Sequence, residues 1–232
     1  MRHTLAVLLL LSHRQVRLLY RSPAVAAWYV VLPLLLIMAV MPVMKVIVAD
    51  GPAQVIPGFT LLFSAFLATT LAGRVVRDRQ SRVWRWLMAT PAPPFAVAAA
   101  PALAVASLGI LQVALALVFG NLVYGMSLGM DRVGLFAFLA VPIGAGLLLA
   151  SLTDDLALQA NIMNPLAIVS ATLGGAIIPL SIQPGWVQAA AHLSPHYYAL
   201  HTGLLGVGIL IGGGLILSSI AVARFSNVGQ YL

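Results

Sequence analysis

Six stretches of this chain, at about 24–44, 58–75, 95–124, 134–152, 158–180 and 203–222, are long, apolar and almost free of charge. That pattern restricts the fold more than any motif does. A segment about 20 residues long and predominantly apolar spans a bilayer as a helix. Lipid offers no partner for backbone N–H and C=O groups, so only helices and closed barrels are viable there. The runs lack the period-2 alternation of barrel strands, which selects helices. Composition agrees: 62% of residues are hydrophobic, 7% are charged and the mean hydropathy is +1.05, whereas a soluble domain carries roughly 25% charged residues. The 232 residues hold six spans with short loops and leave no room for a large soluble domain. With no cysteine, a disulfide framework and a thiolate metal site are excluded.

Residues 1–22 are too interrupted to span. At 100° per residue, His3, Arg14, Arg17 and Arg21 share a face, while Leu5, Leu8, Leu9, Val16 and Leu19 point elsewhere. This is the pattern of a basic amphipathic helix in the headgroup region, ended by Pro23. The same basic residues separate the Leu5–Leu11 run from the Ala24-Val25-Ala26 triplet and argue against a cleaved signal peptide. Pro33 and Pro42 should kink the first span. Residues 181–202, with Pro184, Trp186, His192, Pro195, His196, Tyr197, Tyr198 and His201, are too polar and broken for a lipid-facing span. Six spans place residues 1–22, 74–91, 153–157 and 224–232 on one side. That side holds Arg2, Arg14, Arg17, Arg21, Arg74, Arg77, Arg79, Arg82, Arg85 and Arg224, against Lys45 and Arg132 opposite. The bias predicts that this side, with both termini, is cytoplasmic. It also makes nucleic acid an unnecessary explanation of the net charge of +7.

Two segments carry a family resemblance. The first is Arg77-Asp78-Arg79-Gln80-Ser81-Arg82-Val83-Trp84-Arg85-Trp86-Leu87-Met88-Ala89-Thr90-Pro91. The second is Gly174-Gly175-Ala-Ile-Ile-Pro179, Pro184-Gly-Trp186 and Leu193-Ser-Pro195-His-Tyr197. In a six-span frame these resemble the permease subunit of ABC-2 type exporters, most closely the bacterial daunorubicin-resistance kind. The resemblance implies an all-α integral membrane protein of the type V exporter kind, one transmembrane domain over 1–232. It implies a cytoplasmic coupling helix at 77–90 and an extracellular re-entrant hairpin at 181–202 between the fifth and sixth spans. Arg77, Asp78, Arg79, Arg82, Trp84, Arg85, Trp86 and Leu87 would then meet a separate ATPase subunit. Pro179, Pro184, Trp186, Pro195 and Tyr197 would shape the hairpin. Here Arg77, Asp78 and Arg79 stand where the family carries glutamates.

The resemblance further implies drug efflux, antibiotic resistance and a bacterial cytoplasmic-membrane location. It implies a second permease copy, identical or related, and ATP with Mg²⁺ held by the partner subunit. The chain itself lacks a Gly-x4-Gly-Lys-Ser/Thr phosphate loop, so no cofactor and no catalytic residue are expected in it. Trp and Arg, favoured at binding hot spots, suit the docking role; the plainer reading of Arg74–Arg85 is a positive-inside anchor. Asn161, Asn164 and Ser170, with Gln112 and Asn121, are polar groups that lipid penalises, and the first three are expected along a translocation path. His192, His196 and His201 lack an acidic neighbour, so no metal site is expected. Asp154-Asp155 reads as a cap for the next helix rather than half of a Mg²⁺-diphosphate motif. Gly206, Gly208 and Gly212-Gly213-Gly214 suit a close helix contact. Rival readings are a lipid-modifying membrane enzyme using the histidines or Asp154-Asp155, and a non-transporting scaffold subunit.

Overall fold

A computed structural model describes residues 2–47, 51–81, 94–129, 132–201 and 203–228, with no strand among them. Helix α1 is Arg2–Tyr20. Six helices are long and apolar enough to cross a membrane: α2 (Pro23–Ile47), α3 (Gly51–Gln80), α4 (Pro94–Tyr124), α5 (Val133–Leu152), α6 (Leu156–Leu173) and α9 (Gly203–Val228). Between the last two lie the short helices α7 (Gly185–Ala190) and α8 (Pro195–His201) and two 3-10 turns, Leu180–Ile182 and Ala191–Leu193. The chain is thus an all-helical membrane protein with six spans.

Proline placement explains the helix irregularities. Pro33 has no N–H for the carbonyl four residues earlier and its ring crowds that group, and the turn before it widens into a π-helix over Ala27–Val31. This rotates Tyr29 inward, where its hydroxyl donates to the Phe66 carbonyl at 2.9 Å and accepts from Thr70 Oγ1 at 2.6 Å. Phe66 is where α3 bends, its N–H bonding three residues back to Phe63. Pro57 frees the Ala53 carbonyl inside α3, and Arg132 Nη1 reaches it at 3.4 Å. Such outside partners let a broken helix survive away from water.

α3 is the centre of the bundle. Along its apolar stretch 78% of residues are buried, against 17% on α2 and on α6. α2 and α4 flank it, α5 packs along its second half, and α9 packs along α5. Glycine permits the closest of these approaches. A Cβ on Gly144 would sit 2.5 Å from the Gly214 carbonyl oxygen, and one on Gly146 would sit 2.6 Å from that of Ala68. Two residues apart on a helix means roughly 200° around it, so α5 presents one backbone-bare face to α9 and the other to α3. Of the glycines in the last span, Gly214 makes this contact, and Gly208, Gly212 and Gly213 face open space.

The boundaries differ from the sequence expectation in three places, one being the last span, which runs to Val228 rather than 222 and keeps Arg224 within the helix. The second span begins at Gly51 rather than 58, because Pro52 and Pro57 are accommodated within the helix, and it continues to Gln80 because no breaker intervenes. Arg77, Asp78 and Arg79 therefore belong to the end of α3, not to a separate helix. The fifth span stops at Leu173 rather than 180: Gly174 closes it and Gly175, at φ +81°, turns the chain out of the helix. Small residues in membrane helices are contact surfaces, so Gly146→Val should lower the thermal midpoint in detergent, at a cost of about 1–3 kcal/mol for forced overpacking. Gly213→Val should leave it unchanged.

Candidate functional site

The chemistry-bearing residues collect at the two ends of the bundle. At the basic end, α3 finishes with Arg74, Arg77, Asp78, Arg79 and Gln80, capped at Ser81. Asp78 Oδ2 accepts from Gln15 Nε2 of α1 at 2.6 Å, and Gln15 Oε1 accepts from Arg74 Nη1 at 3.4 Å. Gln15 is 5% exposed, so this pairing fastens α1 to α3 out of solvent. Arg79 Nη2 donates to the Ala150 carbonyl, one of the orphan acceptors at the C-terminal turn of α5. Its Nη1 pairs with Asp154 at 2.9 Å, and its guanidinium lies 5.3 Å from the Phe225 ring centroid of α9. Gln80 donates to the Asp154 carbonyl at 3.3 Å. Asp154 is largely exposed, so the ion pair alone is worth little; its geometric effect is to fix the α5–α6 turn.

That turn is built from its own residues as well. Asp155 Oδ1 accepts from the N–H groups of Ala157 at 2.8 Å and Leu158 at 3.1 Å, an N-cap favoured by the helix dipole. This is the capping role expected of the Asp154-Asp155 pair. The remaining residues expected on the coupling helix, Arg82, Trp84, Arg85, Trp86 and Leu87, lie outside the described residues. Arg77 is exposed.

At the hairpin end, the turn after α6 is held from several directions. Gln54 Nε2 donates to the Gly175 carbonyl at 2.5 Å, and Gly58 comes so close to the Ala176 carbonyl that no side chain would fit. Gln183 Nε2 donates to the Thr172 and Ile178 carbonyls at 3.0 and 2.5 Å. Pro179 and Pro184 start the first 3-10 turn and α7, and Pro195 opens α8. Trp186 is 72% exposed. Tyr197 is the hub of an aromatic group, with ring centroids of His192 at 4.4 Å, His201 at 5.1 Å and Tyr198 at 5.5 Å. The three histidines do not converge: His196 is buried against Phe138 at 4.7 Å, away from the other two. Among the described residues no group of three His, Asp or Glu could hold a metal ion.

Asn161, Asn164 and Ser170 do not form one polar track within the chain. Asn161 is exposed, Asn164 Oδ1 accepts from Thr69 Oγ1 of α3 at 3.0 Å, and Ser170 meets Ser194 and His196 at 3.0 Å each. Gln112 Nε2 donates to the Thr60 carbonyl at 3.2 Å and joins α4 to α3. Sequence reasoning missed Gln15, Gln54, Gln183 and Tyr29 as ties. The signal available was a glutamine within or beside an apolar run, which must find a partner when buried.

The fold, with charge-assisted clamps at one end and a broken helical cap at the other, defines a multi-pass membrane component. The sequence model of the ABC-2 type transporter family matches residues 6–206, and the chain belongs to that family. It is a permease subunit of an ABC transporter, the membrane component rather than an enzyme. Comparison with curated protein sequences gives no match.

Burial pushes the His196 imidazole down to about 3, the Leu61 backbone opposing part of the shift, and burial likewise lowers His201. A depressed histidine favours the fold fully above pH 6.5 and less as pH falls, because the unfolded chain takes up the proton first. At pH 5 the His196 contribution lost is about 2 kcal/mol, from 1.36 kcal/mol per unit below 6.5. The thermal midpoint in detergent should therefore fall between pH 7.5 and pH 5, and His196→Gln should flatten that dependence.

Proposed function

We propose that this permease exports an amphipathic or hydrophobic compound, drug-like or lipid-like, from a bacterial cytoplasm. ATP and Mg²⁺ are handled by a separate nucleotide-binding subunit, which docks on residues 77–90. The basic end is the cytoplasmic end and both termini share it, as the ten-to-two partition of Arg and Lys supports. The observation that carries the reading is the clamp on the end of α3. The segment that would receive the ATPase follows Ser81 directly, and α3 just before it is bonded to α1, α5, the α5–α6 turn and α9. A push delivered after Ser81 acts on four elements at once, which suits rocking between inward-open and outward-open states.

A second permease copy completes the transport path. α6 is the least apolar of the six spans, yet only 17% of its apolar stretch is buried, and Asn161 lies on its open side. A polar group facing hydrocarbon is costly; a facing copy or a wet path between copies removes that cost. Antibiotic resistance follows when the cargo is a drug.

Two measurements test this reading. Co-expressed with its candidate ATPase, the Trp86→Ala/Arg85→Ala double variant should lose at least tenfold in co-purified ATPase and in ATP-dependent efflux. Unchanged assembly and efflux would refute docking on this segment. Arg79→Ala, whose guanidinium is turned onto Ala150 and Asp154, should lower co-purification far less than the double variant while reducing efflux severalfold, and it should lower the unfolding midpoint by breaking charged hydrogen bonds worth about 1.5–3 kcal/mol.

A further inference from the structure

α5 and α6 are consecutive antiparallel helices joined by a three-residue turn, Thr153 to Asp155. Such neighbours normally pack together. Here they splay: α6 leans on α3 and α8, and a cavity of about 600 Å³ runs between α5 and α6. Its floor is Ala65 and Ala68 of α3. Its walls include Ala145 and Leu149 of α5 and Ala167 of α6. It is apolar from Leu152, near the basic end, to Leu173 and Leu193 at the hairpin end, and no charged side chain lines it. The small residues on floor and walls are what hold it open.

Two exposed residues, Leu166 and Val169, stand at its lip on α6, so the cavity opens on the flank of the bundle. The facing α5 wall, Phe138 to Leu152, is roughly 20 Å long at about 1.5 Å per residue. A single leaflet-length hydrocarbon chain, reaching about 15 Å or half the ~30 Å bilayer core, fits.

The hairpin end of the cavity carries a built polar group. Ser194 Oγ donates to the Ser170 carbonyl at 2.7 Å and accepts from the His196 N–H at 3.1 Å. Ser170 Oγ lies 3.0 Å from His196 Nδ1. The Leu61 backbone beside the ring favours the tautomer protonated at Nε2, and in it Nδ1 accepts the Ser170 proton. The Ser194 proton is already committed to the carbonyl. Ser170 Oγ then keeps an acceptor lone pair, and Ser170 lines the cavity. The geometry calls for a ligand that is apolar along its length, with an uncharged hydrogen-bond donor at one end.

We propose that this cleft holds one hydrocarbon chain of a resident bilayer lipid with a neutral hydroxyl head, the hydroxyl donating to Ser170 Oγ. The occupant fills the wedge left by the splayed helices and sets the spacing of α6 from α5. The assignment does not depend on the direction or cargo of transport.

The test uses the full chain in phosphatidylcholine vesicles containing a trace of a monoalkyl glycerol with a photoactivatable diazirine in mid-chain. Labelling mapped by mass spectrometry should concentrate on Ala145, Leu149 and Leu166, at least fivefold above the exposed face of α2 at Leu35 and Val43. Ala145→Trp and Ala167→Trp should each abolish that excess while leaving α2 labelling unchanged, which also reports that the protein remains folded. Ser170→Ala preserves the cavity and should lower cleft labelling about 2–10-fold, the range of one hydrogen bond, but should not affect the probe with its hydroxyls methylated. Labelling of the cleft no greater than that of α2, or equal labelling by an alkyl phosphate, would overturn the proposal. So would photocrosslinks joining two copies of the chain through the cleft.

Discussion

Every break in a membrane helix releases backbone groups that lipid cannot satisfy, and the arrangement of this bundle follows from where those groups find partners. α3 contains a proline at 57 and a bend at Phe66. The freed Ala53 carbonyl is met by Arg132, the Phe66 carbonyl by Tyr29, and the Thr60 carbonyl also accepts from Gln112. Three different elements are thereby tied to one helix. The same helix is the most buried span, as a helix with irregular backbone must be. The glycine contacts of α5 then bring α9 in behind it, so the bundle is organised outward from α3.

The two ends of α3 have different mechanical character. At the basic end the ties are ionic or charge-assisted: Asp78 to Gln15 and Arg79 to Ala150, both part-buried, and Arg79 to the largely exposed Asp154. Such contacts can be remade at modest cost. At the hairpin end the ties of α3 are an uncharged amide-to-carbonyl contact and close backbone packing, at Gln54–Gly175 and Gly58–Ala176. Those resist movement. The permease thus has its charge-assisted joints at one end of α3 and its closest backbone packing at the other.

Much of this was legible in the sequence. The six spans, the polar broken segment after the fifth, the capping Asp155 and the family all followed from hydropathy, breakers and motif order. Arg77, Asp78 and Arg79 were read as one docking cluster, but the structure turns Asp78 to Gln15 and Arg79 to Ala150 and Asp154 and leaves Arg77 exposed, and those partners were not legible. Gln15 and Asp154 lie far from them along the chain, and a single sequence carries no record of which polar groups meet. Asn161, Asn164 and Ser170 share a span but not a direction or a partner, since hydropathy registers polarity and not azimuth.

The sequence by itself determined that the chain lives in a bilayer and where it crosses, because the cost of placing charge and unpaired backbone in hydrocarbon is local and is set by each residue. Only the tertiary structure decided that α3 is central, that α6 stands apart from α5, and that Ser170 and His196 close the cleft between them. Those outcomes depend on which small residues let backbones touch. Alanine and glycine are equally apolar whether they face a helix, a lipid or a cavity, so their composition cannot announce which of the three they will meet.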